Sequence, residues 1–170
     1  DPETKTIQNE SKLCEQGWGF CNKIWNALRL LKSWEVTQDA PDAEQAAINE
    51  LAYQWMDNKL QQVIEQVEDH FQTYRLSDAL MTLYKFIWGD YCSWYLEMIK
   101  PAYGAPIDAA TLERSFSLLE QTMTLLHPFM PFVTEEVWHQ LRDRLEGEDC
   151  VISEYPKAGT YDLALIKKVE

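Results

Sequence analysis

The residues with the greatest potential for binding chemistry lie on a predicted first helix that is rich in cations. Lys23 and Arg29 each carry a positive charge, and Asn26 offers an amide that can hydrogen-bond the edge of a base. Lys12 and Leu30 fall close to the same line if this helix is continuous. Cations of this kind contact phosphates, and an arginine can also stack on an unpaired base. An ordinary solvated helix face has the same pattern, so the spacing alone leaves both interpretations open.

A second candidate group is the run Trp94–Glu97 near the end of a predicted third helix. Aromatic rings can stack on unpaired bases, and the Glu97 carboxylate can accept a hydrogen bond from a base amino group. The period of the apolar residues predicts that Trp94 is buried. The same period predicts that Leu96 and Glu97 point away from the core and are exposed.

Catalytic motifs are missing from the sequence. It contains no G-x-x-x-x-G-K, no G-x-S-x-G and no H-E-x-x-H. Glu136 and His139 match the E-x-x-H pattern of helical di-iron proteins, but such sites need a second pair, and neither His70 nor His127 has a glutamate three residues before it. The four cysteines include no C-x-x-C pair, which favours reduced thiols over a zinc site. We therefore expect no catalytic residue, no metal and no cofactor in this chain.

The charge of the chain is unevenly distributed. The 170 residues carry a net charge of −13, which argues against strong binding to nucleic acid. Residues 11–33, however, hold four cations and one anion, whereas residues 39–70 hold one cation and eight anions. A basic first element therefore precedes an acidic second one.

The apolar stretches are much shorter than the roughly 20 residues that cross a bilayer, and the N-terminus lacks the apolar core of a signal peptide. We expect a soluble cytoplasmic protein with neither a membrane nor a DNA partner.

The elements that position these residues are predicted to be helices, because the apolar period is near 3.6 almost throughout. The fold class is therefore all-α, a bundle of about five helices with a short C-terminal α/β extension. The extension contains an edge strand at residues 150–153 and a helix that starts at Leu163. The division falls between residues 1–146 and 147–170. The five predicted helices run from about Ser11 to Ser33, from a cap in the loop Asp39–Asp42 to about Thr73, from a Ser77 cap to Pro101, from an Asp108 cap to His127-Pro128, and from Pro131 to about Leu145.

Three segments together resemble the anticodon-binding domain of valyl-tRNA synthetases. They are F-C-N-K-I-W-N-A-L-R at residues 20–29, W-Y-L-E-M-I-K-P at 94–101 and L-H-P-F-M-P-F-V-T-E-E-V-W at 126–138. Their order and separations match as well, and the likeness covers about residues 12–155. Isoleucyl and leucyl enzymes share the helical domain and a similar His-Pro-Phe segment, so an isoleucyl- or leucyl-type domain remains an alternative. A helical protein-interaction module is a further alternative.

The resemblance implies a bundle that receives the anticodon stem-loop of a valine tRNA beside a catalytic domain of the same parent chain. ATP would then be the parent's substrate, used outside this region. Two departures from the family, Trp18-Gly19 in place of Arg-Asn and Leu30 in place of an aromatic residue, imply weaker tRNA contact. With Asn26 from the charge pattern, the candidate tRNA-binding residues are Lys12, Lys23, Asn26, Arg29, Leu30, Leu96 and Glu97.

Overall fold

The computed structural model describes residues 12–169, and the side chains from Cys14 onward. Its helices confirm the predicted all-α class. A π-helix (Phe86–Tyr95) joins α3 to α4, and a 3-10 helix (Cys150–Ile152) follows α6. The helices are α1 (Lys12–Ser33), α2 (Ala43–Gln72), α3 (Leu76–Lys85), α4 (Leu96–Ile99), α5 (Ala109–Leu126), α6 (Pro131–Leu141) and α7 (Leu163–Val169).

Two of the predicted helix caps are confirmed. The Asp42 carboxylate accepts a hydrogen bond from the backbone N–H of Gln45 at 2.8 Å, which fixes the start of α2. The Asp108 carboxylate does the same for α5, accepting from the backbone N–H of Thr111 at 2.9 Å. The predicted Ser77 cap is wrong, because α3 already begins at Leu76.

The core forms where the apolar faces of the helices meet. The α1 residues that are buried in this core are Phe20, Ile24, Ala27, Leu28 and Leu31, and the helix packs mainly on the π-helix and α6. This set repeats in steps of three and four, so it covers one side of α1 and leaves the other side toward solvent. The helix is continuous, as the predicted line of polar residues requires.

A short parallel sheet, which the sequence did not predict, ties two loops together. Strand β1 (Val36–Thr37) pairs with strand β2 (Ile107–Asp108). The sheet therefore joins the chain that leaves α1 to the chain that enters α5.

The predicted edge strand at residues 150–153 is wrong, since this segment is a 3-10 helix. The Glu135 carboxylate on α6 accepts the backbone N–H groups of Cys150 at 2.7 Å and Val151 at 3.3 Å. These donors are consequently not available to a neighbouring strand. Helix α7 starts at Leu163 as predicted and packs on α2. The division of the chain at residue 146 stays a prediction.

The third predicted helix differs in register from its expected form. Buried residues follow one another in steps of exactly four along it, at Leu83, Ile87, Tyr91, Tyr95 and Ile99. Four residues overshoot one α-helical turn by about 40°, so a regular α-helix would carry this series around its axis. The wider i→i+5 turn of the π-helix keeps the series on one face.

The changed register reverses two predictions of exposure. Trp94, expected in the core, is 65% exposed, whereas Leu96, expected at the surface, is 2% exposed. Leu96 packs in the main core. Its side chain is therefore closed to a bound base, and the assignment of Leu96 as a contact residue is corrected.

None of the described helices is both long enough and apolar enough to cross a bilayer.

The four thiols divide into two classes of reactivity. Burial raises the pKa of Cys92 to about 11, and burial likewise raises the pKa of Cys150 to about 11. Cys14 is exposed and Cys21 half-buried. We expect a maleimide near neutral pH to label Cys14 and Cys21 at least about tenfold faster than the buried pair, because the thiolate is the reacting species.

Mass spectrometry of the labelled peptides checks this order, and labelling of all four thiols in urea is the control. Fast labelling of Cys92 in the native protein would contradict the described core.

Candidate nucleic-acid interface

The exposed side of α1 carries most of the predicted binding residues. Asn26 and Arg29 are exposed, and Lys23 is half-buried. Arg29 makes no ion pair with a carboxylate in the described part of the chain. Asn26 and Arg29 are three residues apart, so they share one face of the helix. The side chain of Lys12 lies outside the described residues.

Lys23 is held by an aromatic ring of the π-helix. Its Nζ atom lies 5.4 Å from the centre of the Trp88 ring, which is within the range of a cation–π contact. Trp88 also stacks on Tyr84 and remains 37% exposed. The pair therefore presents a positive charge and part of an indole at the same place.

A groove lies between the end of α1 and the chain that follows α4, with a volume of about 540 Å³. We call it the Leu30 groove. Leu30 itself is partly buried and packs against the core. The groove is the point at which the first helix and the third predicted helix meet at the surface. Its lining residues are Leu30, Ser33, Trp34, Glu35, Lys100, Pro101, Ala102, Tyr103, Gly104 and Ala105.

A tight turn presents an aromatic ring at the edge of this groove. The N–H of Ala105 donates to the carbonyl oxygen of Ala102 at 2.9 Å, and Gly104 has φ = +76°. A positive φ at the third position of a turn is the conformation that glycine adopts without strain. Tyr103, at the second position, is fully exposed.

Glu97 is exposed, as predicted, and forms an ion pair with Lys100 at 3.3 Å. Both side chains are about half exposed, so this pair contributes little stability. Lys100 also lines the Leu30 groove, so the ion pair places Glu97 beside this groove.

The structure thus brings the predicted residues together in part. Asn26, Arg29 and Leu30 share one ridge of α1, Leu30 meets Lys100 in the groove, and Lys100 pairs with Glu97. Sequence reasoning missed Lys100, Tyr103, Trp34 and Trp88 as members of this surface. The Pro101 stop and the Tyr103-Gly104 turn were visible signals for the loop.

Similarity to known proteins identifies the family of the chain. A family model described as "Anticodon-binding domain of tRNA ligase" matches residues 53–170. Valine--tRNA ligase of Christiangramia forsetii is 45% identical over 98% of this chain and 19% of its own length. The same enzyme of Bacteroides thetaiotaomicron is 46% identical over 99% of this chain and 19% of its length. That of Bacillus thuringiensis subsp. konkukian is 39% identical over 84% of this chain and 16% of its length.

The chain therefore spans about a fifth of the length of the first of these relatives. The family model, in contrast, covers more than two thirds of the chain, including residues 100–105 on one side of the Leu30 groove. This chain belongs to the family of anticodon-binding domains of tRNA ligases.

Proposed function

We propose that this chain binds the anticodon stem-loop of a valine tRNA through the exposed face of α1 and the Leu30 groove. Family membership supports the anticodon arm as the ligand. The names of the relatives support valine over the isoleucyl or leucyl alternatives. Bases of an unpaired loop offer faces to stack on and edges to hydrogen-bond, so a duplex groove is not needed.

The observation that carries the proposal is the position of Arg29 and Lys23 on the helix that also forms the Leu30 groove. The cations supply phosphate contacts along α1. Tyr103 supplies an exposed ring at the groove, where an unpaired base can stack. Glu97 and Lys100 add one acceptor and one further cation beside it.

In the proposed parent protein, this region holds the anticodon arm while the acceptor end reaches a distant active site. The aminoacylation, and the ATP that it uses, belong to other regions of a cytoplasmic valine–tRNA ligase. The binding region itself takes part in no chemical step and needs no cofactor. A catalytic domain of the same parent chain is therefore its second partner.

Binding by this region alone is expected to be weak and sensitive to salt. The net charge of −13 repels RNA, and only a few cations face the ligand. With about three phosphate contacts, affinity should fall about 20- to 40-fold between roughly 50 and 200 mM salt.

The test of the proposal is titration of a fluorescent valine anticodon stem-loop, monitored by anisotropy at these two salt concentrations. We expect Lys23→Ala combined with Arg29→Ala to weaken binding at least about tenfold, since two phosphate contacts are lost. We also expect an altered anticodon to weaken binding to the unchanged protein.

The control variant is Arg75→Ala combined with Lys157→Ala, which removes the same charge from surfaces outside α1. An equal loss in both double variants would show that only net charge matters and would contradict a site on α1. Equal affinity for all loops would instead favour a helical protein-interaction module.

A further inference from the structure

A second cluster of functional groups lies away from the Leu30 groove, where α6 faces the segment before the 3-10 helix. The His139 Nε2 atom is 3.0 Å from Asp149 Oδ1 and 3.3 Å from Glu135 Oε1. The three ligand atoms all lie within 4.8 Å of one another. Glu135 and His139 are one helical turn apart, and a tight reversal of the chain brings Asp149 back to them.

The geometry points to a binding site for a divalent transition-metal ion, of which Zn²⁺ is the best match, formed by Glu135, His139 and Asp149. Imidazole nitrogen and carboxylate oxygen are common zinc ligands, with bonds of roughly 2.0–2.2 Å. Tetrahedral ligand atoms at such bond lengths are roughly 3.3–3.6 Å apart. The two measured separations from His139 are close to that value.

The protein holds Glu135 in place through its backbone. Its Oε1 atom accepts the N–H of Cys150 at 2.7 Å, and its Oε2 atom accepts the N–H of Val151 at 3.3 Å. Hydrogen bonds to a ligating carboxylate fix its orientation and are a regular feature of metal sites. Two of the three ligands are thus tied to the same short segment, residues 149–151.

Charge balance favours a cation at this position. Two carboxylates converge on one imidazole nitrogen, and a neutral His139 has at most one Nε2 proton to share between them. A divalent ion would satisfy both carboxylates and the nitrogen lone pair at once. All three side chains are partly exposed, so an ion can enter from solvent.

A neighbouring histidine extends the acceptor cluster. The Thr134 hydroxyl donates to the carbonyl oxygen of Met130 at 2.9 Å, so it accepts from His127 Nδ1 at 2.8 Å. The other ring nitrogen of His127, Nε2, lies 4.0 Å from Glu135 Oε2. His127, Glu135 and His139 line one open pocket on this side of α6.

Titration of the metal-stripped protein with Zn²⁺ by calorimetry tests this site. The Cys14→Ser and Cys21→Ser exchanges in every sample remove the accessible thiols, which would bind zinc themselves. We expect one ion per chain, and we expect His139→Ala and Asp149→Asn each to weaken binding at least about tenfold. Saturating Zn²⁺ should also raise the Tm, because the ion joins α6 to residue 149.

Asp143→Asn is the matched control, since it removes one exposed acid two residues after the end of α6, outside the cluster, and should leave the affinity unchanged. Co²⁺ serves as a spectroscopic probe, and a ligand set without sulfur predicts no thiolate charge-transfer band. Such a band would overturn the assignment by implicating Cys150. Binding that the His139 and Asp149 variants leave unchanged would overturn the site itself.

Discussion

Replacing Tyr95 with alanine is expected to lower the free energy of unfolding by about 3–5 kcal/mol, the usual range for removal of a buried aromatic ring. The Tyr95 side chain is fully buried beside Tyr91, with ring centres 5.4 Å apart. Its hydroxyl is 2.8 Å from Ser115 Oγ on α5. The substitution therefore creates a cavity and removes a buried hydrogen bond. Urea unfolding monitored by circular dichroism measures the loss.

Two controls separate the ring from the hydroxyl and from the surface. Tyr95→Phe should cost only about 1 kcal/mol, because the ring remains and Ser115 still donates to the carbonyl oxygen of Thr111 at 2.7 Å. Tyr103→Ala, at the exposed turn, should change stability by less than about 0.5 kcal/mol. A loss below about 1 kcal/mol for Tyr95→Ala would contradict the described packing of the π-helix on α5.

Tyr95 should also make the stability of the fold depend on pH. Burial raises the pKa of Tyr95 from 10.0 to about 12. When folding raises the pKa of a phenol, the folded state is favoured fully at pH values below the pKa of the unfolded chain. This stabilisation is lost as the pH rises toward the pKa of the folded protein. Between about pH 10 and 12 the wild-type chain should therefore lose stability more steeply than Tyr95→Phe.

Helices with strong local signals were predictable from the sequence. The apolar spacing of α1 and the Asp42 and Asp108 caps placed three helix ends within two residues of those observed. Such signals act within one or two turns, so they need no knowledge of the rest of the fold. The β1–β2 pair was not predictable, since its two-residue strands lie about 70 residues apart and show no alternation.

The π-helix explains why the second group of candidate residues was only partly correct. A period of 3.6 put Trp94 in the core and Leu96 at the surface, whereas the structure has them the other way round. The apolar series from Leu83 to Ile99 in steps of four was a readable signal of a wider turn. Glu97 is exposed in either register, so its predicted exposure is confirmed.

Sites that form between elements were the hardest to find from the sequence. Asn26 and Arg29 were predictable as exposed, because a regular α1 fixes their direction. Lys100 and Tyr103 join them only through the packing of the Leu30 groove. Likewise, Asp149 reaches His139 across a chain reversal of ten residues, and the E-x-x-H pattern alone paired His139 with Glu136 rather than Glu135.

Replacing Glu120 with glutamine is expected to lower the free energy of unfolding by about 2–3 kcal/mol, since it breaks a partly buried network of charges. Glu120 Oε1 accepts from Arg142 Nε at 2.9 Å and also from Arg144 Nη2. The Glu120 and Arg144 side chains are only 17% and 12% exposed. Arg144 is further fixed by the Trp138 ring, whose centre lies 3.7 Å from the guanidinium carbon. Urea unfolding measures the change in stability.

The matched control is Glu113→Gln, because Glu113 pairs with the same Arg142 but is 60% exposed. Hydrogen bonds from Arg142 lower the pKa of Glu113, yet solvent screens this pair, so its removal should cost less than about 1 kcal/mol. Arg142 and Arg144 attach the chain after α6 to α5, so hydrogen exchange in residues 142–153 should quicken in Glu120→Gln more than in the control. Equal losses in the two variants would mean that solvent reaches Glu120 as freely as Glu113, and that packing rather than charge anchors this segment.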